Sequence, residues 1–95
     1  MKTFKYKDEI IPLAVNFSRL LAQCIGSQTI TDGDVIVYDN KGEDKSATML
    51  VDKTLSTTRV DCTIQGGESG KTYNVEFSIK TQDYDFEEHI ALEVR

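Results

Sequence analysis

The residues able to do chemistry in this 95-residue chain are few and scattered. The sole histidine is His89. It sits in a stretch, Ile90 to Arg95 with its flanks, whose apolar residues recur at every second position, so it belongs to the polar face of a strand. Its acidic neighbours are Glu87 and Glu88. Adjacent strand residues point to opposite faces, so a solvated surface histidine is expected. A nucleophile needs a base held beside it by a third group, and no Ser, Thr or Cys is set up that way. Cys24 and Cys62, the only cysteines, lie outside any C-x-x-C pair or second-histidine context, which removes the usual zinc frameworks. Two isolated thiols fit a reducing compartment. Cys62 falls on an apolar face and reads as a small buried hydrophobe. Gly66-Gly67-Glu68-Ser69-Gly70 is glycine-rich but leads into a strand, so it is a turn rather than a phosphate loop.

Two acidic loops complete the search. Asp39-Asn40-Lys41-Gly42-Glu43-Asp44 offers oxygen ligands suited to a hard cation, but its glycine is fourth where an EF-hand loop needs it sixth. Asp83, Asp85, Glu87 and Glu88 form the other. Asp and Asn populate turns because they bond their own backbone, and that is the expectation for both. No catalytic, cofactor or metal residue is therefore assigned, and the chain is expected not to be an enzyme.

The elements that carry these residues are strands. Tyr73, Val75, Phe77 and Ile79 share one face between Lys71 and Thr81. Ile90, Leu92 and Val94 repeat the pattern, as do Val60, Cys62 and Ile64 between Arg59 and Gln65. Ile11, Leu13, Val15 and Phe17 share a face, with Pro12 opposite, which marks an edge strand or a bulge. Phe4 and Tyr6 alternate with Thr3, Lys5 and Lys7 in a short edge strand. Ser18 is expected to cap a helical turn running to about Cys24, with Leu20, Leu21 and Cys24 at helical spacing. Gln28 to Asp39 reads as a strand broken at Asp32-Gly33-Asp34 by a bulge or a tight turn, and Ala47 to Asp52 as one more strand. Turn signals at 39–42, 66–70 and 82–85 separate these pieces. The expected fold is all-β: a single immunoglobulin- or fibronectin-III-like sandwich over residues 1–95, with about seven antiparallel strands and one helical turn. Tyr73, just after the corner at Gly70, is placed to bond its hydroxyl back to the backbone as a structural tyrosine corner.

Acidic residues outnumber basic ones, 16 to 11, and the net charge is −5. Without a basic stripe, nucleic acid and anionic membranes are disfavoured as partners. No apolar stretch is long enough to span a bilayer, and MKTFKYKDEI has no leader-like run. Synthesis and retention in the cytoplasm are expected, unless the protein leaves within a larger assembly.

Three segments resemble a family of small virion proteins of tailed bacteriophages, described as fiber–tail adaptor or head–tail region proteins with Ig-like folds. One is Lys7-Asp8-Glu9-Ile10-Ile11-Pro12-Leu13-Ala14-Val15-Asn16-Phe17-Ser18-Arg19-Leu20-Leu21, and the second is Thr29-Ile30-Thr31. The third follows a G-G-x-x-G-x-x-Y-x-V-x-x-x-I-x-T pattern through Gly66, Gly67, Gly70, Tyr73, Val75, Ile79 and Thr81. Phe17 and Leu20 or Leu21 stand where members carry tryptophan. The resemblance implies a structural adaptor in a phage or prophage particle that contacts other phage structural proteins, with self-association as a further expectation. The expected contact residues are Phe4 and Tyr6, Leu20 and Leu21 (which could instead plug one end of the sandwich), and Asp83, Tyr84 and Asp85. A carbohydrate- or calcium-binding module is the alternative, with Tyr38 and Tyr84 as its outward aromatics.

Overall fold

Strand β6 (Thr72–Lys80) organises the domain. Its alternation buries Tyr73, Val75, Phe77 and Ile79, each at 5% exposure or less. It lies between β7 (Asp85–Val94) and β3 (Asp32–Tyr38), both antiparallel to it. The computed structural model describes residues 1–95, and places β1 (Lys2–Lys5) on the far side of β7. This four-stranded sheet, β1-β7-β6-β3, packs on a three-stranded one, β2-β5-β4. There β5 (Arg59–Ile64) pairs antiparallel with both β2 (Ile11–Asn16) and β4 (Leu50–Leu55). Between them lies a core of 17 apolar residues.

The order follows the immunoglobulin pattern of B-E-D against C-F-G. The first strand departs from it by leaving the B-strand side and pairing parallel with the last, Lys2 opposite Ala91 and Lys5 opposite Val94. The expectation of antiparallel pairing throughout is corrected at that one strand. A two-residue hairpin cannot join parallel strands. Here the whole domain lies between β1 and β7, so chain length sets no limit.

Two helical turns are present instead of one. α1 (Ser18–Ala22) begins one residue earlier than a Ser18 cap would have it: Phe17 occupies the cap position, and the Ser18 N–H donates to Asn16 Oδ1 at 2.9 Å. α2 (Ser46–Met49) replaces the first half of the strand expected from Ala47. The Ser46 N–H donates to Asp44 Oδ1 at 2.8 Å, a side-chain bond that competes with a ladder. β4 therefore starts at Leu50 and continues to Leu55.

The break expected at Asp32-Gly33-Asp34 is absent, and the strand expected from Gln28 begins only at Asp32. Register with β6 is regular from Asp32 to Tyr38. Asp32 and Asp34 each accept the N–H of the residue that follows, at 2.8 and 2.9 Å. Gly33 sits in a tight place: an added Cβ would lie 3.1 Å from both Leu55 Cδ2 and Ser78 O, so those neighbours would have to give by a few tenths of an ångström. The polar triad finishes an edge rather than ending a strand.

Cys62 is 3% exposed and unpaired. Burial, with Asp52 and Asp61 nearby, pushes its thiol up to about 12 from 9.0. The unfolded thiol ionises near pH 9 while the folded one stays protonated, so stability falls as pH rises between those values. The expected slope is about 1.4 kcal/mol per pH unit. Urea midpoints from pH 8 to 11 for the native chain and Cys62→Val test this: the two curves should diverge above pH 9, and parallel curves would refute the burial effect.

Candidate partner-contact surface

β1 holds the least expected feature of the molecule. Its register with β7 puts Lys5 on the same face as Val94 and Thr3 on that of Leu92, both core positions. Lys5 is consequently 0% exposed. Its ammonium donates to three carbonyls: Gly66 O at 2.6 Å, Tyr6 O at 2.9 Å and Lys7 O at 3.1 Å. Burial lowers its pKa, opposed by Glu9 and Asp8. Phe4 of the same strand and Tyr6 just after it are turned outward, at 44% and 55% exposure. Their rings meet edge to face with centroids 5.9 Å apart, and the Arg95 guanidinium lies 3.8 Å over Phe4.

The four sheet edges differ in what they offer a further strand. Along β3 the edge groups are taken: Gly33 and Val35 N–H by aspartates, Val37 N–H by Ser46 Oγ, Val37 O by Lys45 N–H, Gly33 O by Lys53 Nζ. β2 carries Pro12 in mid-strand. β4 has a bulge between Leu50 and Asp52, and its Lys53 closes over β3 to pair with Asp34 at 2.8 Å. That contact also holds the Asp34 carboxyl below its ordinary range. At β1, Ala91 and Arg95 donate to Met1 O and Lys5 O, so the alternate amides of Lys2 and Phe4 face outward. No side chain caps them.

The remaining candidates lie elsewhere. Leu21 is 6% exposed and belongs to the core; Leu20 packs against it half-buried. Leu21 thus plugs the sandwich end and presents no contact surface. Tyr84 is half-buried and stacks on Phe86 with centroids 6.0 Å apart. Tyr38 is also half-buried, so the most exposed aromatics are Phe4 and Tyr6, a correction to the expectation for Tyr38 and Tyr84. Asp83 bonds Gln28 Nε2 at 2.9 Å, and Gln82 is bonded to Thr29 in both directions. The loop after α1 and the turn at 82–85 are thereby joined at one end, with Ile25 beside them at 86% exposure. Phe4 and Tyr6 are at the other. From Asp85 to Glu93, opposite Phe4, is roughly 26 Å at about 3.3 Å per residue.

The acidic loops spend their oxygens on themselves. Asp39 Oδ1 accepts from Lys41 and Glu43 N–H, both at 2.9 Å, and Asp44 accepts from Ser46; these bonds hold both carboxyls below their usual range. Sequence reading missed another cluster. Glu87 lies two residues from His89, hence on its own face, and cross-strand register puts Glu76 opposite His89. Nε2 of His89 sits 2.9 Å from Glu87 Oε2, and Nδ1 contacts Asn74.

The glycine–tyrosine motif turns out to organise the corner. The Glu68 N–H donates to the Tyr73 hydroxyl at 3.0 Å, and Gly70 N–H to Val94 O at 2.8 Å. Thr81 N–H and Oγ1 both donate to Tyr84 O, closing the last hairpin. One family profile, described as podophage GP4 fiber-tail adaptor protein gp77, matches residues 5–93. The chain belongs to that family. No curated protein and no solved structure matches it. As a member of a phage fiber-tail adaptor family, it is a structural virion-type protein, and none of its helices is long and apolar enough to cross a membrane.

Proposed function

We propose that this adaptor-family protein joins two phage structural proteins through its opposite ends. One end is the open β1 edge with Phe4 and Tyr6; the other is the α1-following loop with the 82–85 turn. The observation that carries this reading is the inverted burial of β1. A one-residue shift in register would exchange every side chain between faces, yet the strand holds Lys5 inside and Phe4 outside, with Tyr6 exposed just beyond its end. A segment that keeps exposed aromatics against its own local pattern is suited to binding. The free Lys2 and Phe4 amides add main-chain hydrogen bonds for an incoming strand. Separation of the two ends by the length of β7 suits a connector, and no catalytic step is part of the role.

Co-purification of the protein with the tail and fiber proteins of the same phage tests this. The double variant Phe4→Asp, Tyr6→Asp is expected to lose one partner and keep the other. Its binding should weaken at least tenfold with the thermal midpoint little changed, since both rings are solvent-exposed. Retention of both partners at native affinity would exclude the β1 edge. Light scattering across a dilution series would show whether the edge also pairs with a second copy.

A further inference from the structure

Glu76, Glu87 and His89 stand together on the outer face of the four-stranded sheet, and we infer that they form a site for one first-row divalent cation such as Zn²⁺. Three features support it, and none depends on the adaptor reading. The first is geometry: one ligand atom from each residue lies within 4.8 Å of the other two. Zinc binds imidazole nitrogen and carboxylate oxygen at about 2.0–2.2 Å in tetrahedral arrangement, which needs donors roughly 3.5 Å apart.

The second is the support behind the histidine. Its Nδ1 lies 2.9 Å from Asn74 Nδ2 and 3.2 Å from Asn74 Oδ1, so the Asn74 amide holds the ring by that nitrogen in either tautomer. Nε2 then faces Glu87, and in the tautomer whose Nδ1–H donates to the amide oxygen it is free to ligate, the arrangement that orients a ligating imidazole through its other nitrogen. The third is rigidity and charge. Glu76 lies on β6 between β3 and β7, and Glu87 and His89 are held to β6 by a regular antiparallel ladder, so the backbone under all three ligands is fixed by strand pairing. A carboxylate oxygen of Glu76 and one of Glu87 lie within 4.8 Å of each other. Like charges so placed across strands are unfavourable unless something positive stands between them, and a dication supplies that. One imidazole with two carboxylates favours zinc, nickel or manganese over calcium, which takes six to eight oxygens. Three protein ligands leave a coordination position for water or for a carboxylate from a docked partner.

Titration calorimetry of the full chain with ZnCl₂, with CaCl₂ in parallel, tests the site. One Zn²⁺ per chain at micromolar affinity is expected, with Ca²⁺ at least tenfold weaker. His89→Ala and Glu76→Gln, both at the surface of a formed sheet, should each weaken Zn²⁺ binding at least tenfold. Cys24→Ser and Asp83→Asn should leave it unchanged. Native-level binding by His89→Ala, loss of binding in Cys24→Ser, or equal affinity for Ca²⁺ would each overturn the assignment. The His89 imidazole resonances give a readout independent of affinity: they should shift on Zn²⁺ addition, and unmoved resonances at saturating metal would count against it.

Discussion

Lys5→Ala is expected to lower the stability of the domain by about 3–4 kcal/mol, a drop of roughly 15 °C in the thermal midpoint. The side chain is fully enclosed, and its ammonium is the donor to the carbonyls of Tyr6, Lys7 and Gly66. Alanine removes that donor and the packed stem together, leaving the Lys7 and Gly66 carbonyls without a partner, while Tyr6 O keeps the Glu9 N–H, and opening a cavity beside Val94. For a domain whose whole stability is on the order of 5–15 kcal/mol, such a loss is a large share. Lys5→Met separates the two effects, because it keeps the stem. Thermal and urea unfolding should rank the native chain above Met, and Met above Ala. A methionine variant as stable as the native chain would show that the carbonyl cage contributes nothing beyond packing.

Gly67→Ala is the second large effect, at about 3 kcal/mol. Gly67 has φ +89°, and a Cβ there would lie 2.8 Å from Val94 Cγ2, 3.1 Å from Met49 Cε and 3.3 Å from Tyr73 Cε2. The left-handed backbone alone costs a non-glycine residue about 1–2 kcal/mol. Forcing apart Val94, which is fully buried, adds an overpacking cost of similar size. Gly70→Ala is the control. It sits in the same loop at φ +85° with nothing within 4 Å of the added Cβ, so it carries the backbone cost alone. Chemical denaturation of both variants should show Gly67→Ala the more damaging by about 2 kcal/mol. Equal losses would remove the packing contribution.

Both substitutions fall at one corner of the sandwich. Gly66 accepts from Lys5, Gly67 packs on Val94 and Tyr73, Gly70 donates to Val94 and the Tyr73 hydroxyl binds the Glu68 amide. The spaced glycines and tyrosine that carry the family resemblance are accounted for as a device that ties β1, β6 and β7 together. Partner recognition falls to residues outside that pattern, Phe4 and Tyr6 above all, on the reading proposed above.

Strands whose buried face is purely local in origin were legible from residues alone. β5, β6 and β7 alternate with period 2 because each lies across one core, and a strand in that position shows its inside in its own sequence. Pro12 pointed to an edge strand or a bulge, since it has no N–H for a ladder, and β2 lies at the edge of its sheet. The turns at 39–42, 66–70 and 82–85 were readable from residue types that favour tight backbone geometry. Elsewhere local reading went astray where a side chain took over a backbone hydrogen bond. Asp44 and Ser46 turned the start of an expected strand into α2, and Asp32 and Asp34 kept β3 whole where a break was expected.

The sequence by itself determined an all-β chain, its strand faces and the corner that closes it, because those follow from spacing along one strand or turn. Tertiary structure alone decided which side of β1 faces inward, that this strand runs parallel to β7, and that Glu76, Glu87 and His89 meet. The first two depend on register between segments at opposite ends of the chain, and the third on register between the paired strands β6 and β7. A one-residue difference between β1 and β7 would bury Phe4 and expose Lys5, and one between β6 and β7 would separate Glu76 from His89, with no change in the amino-acid sequence.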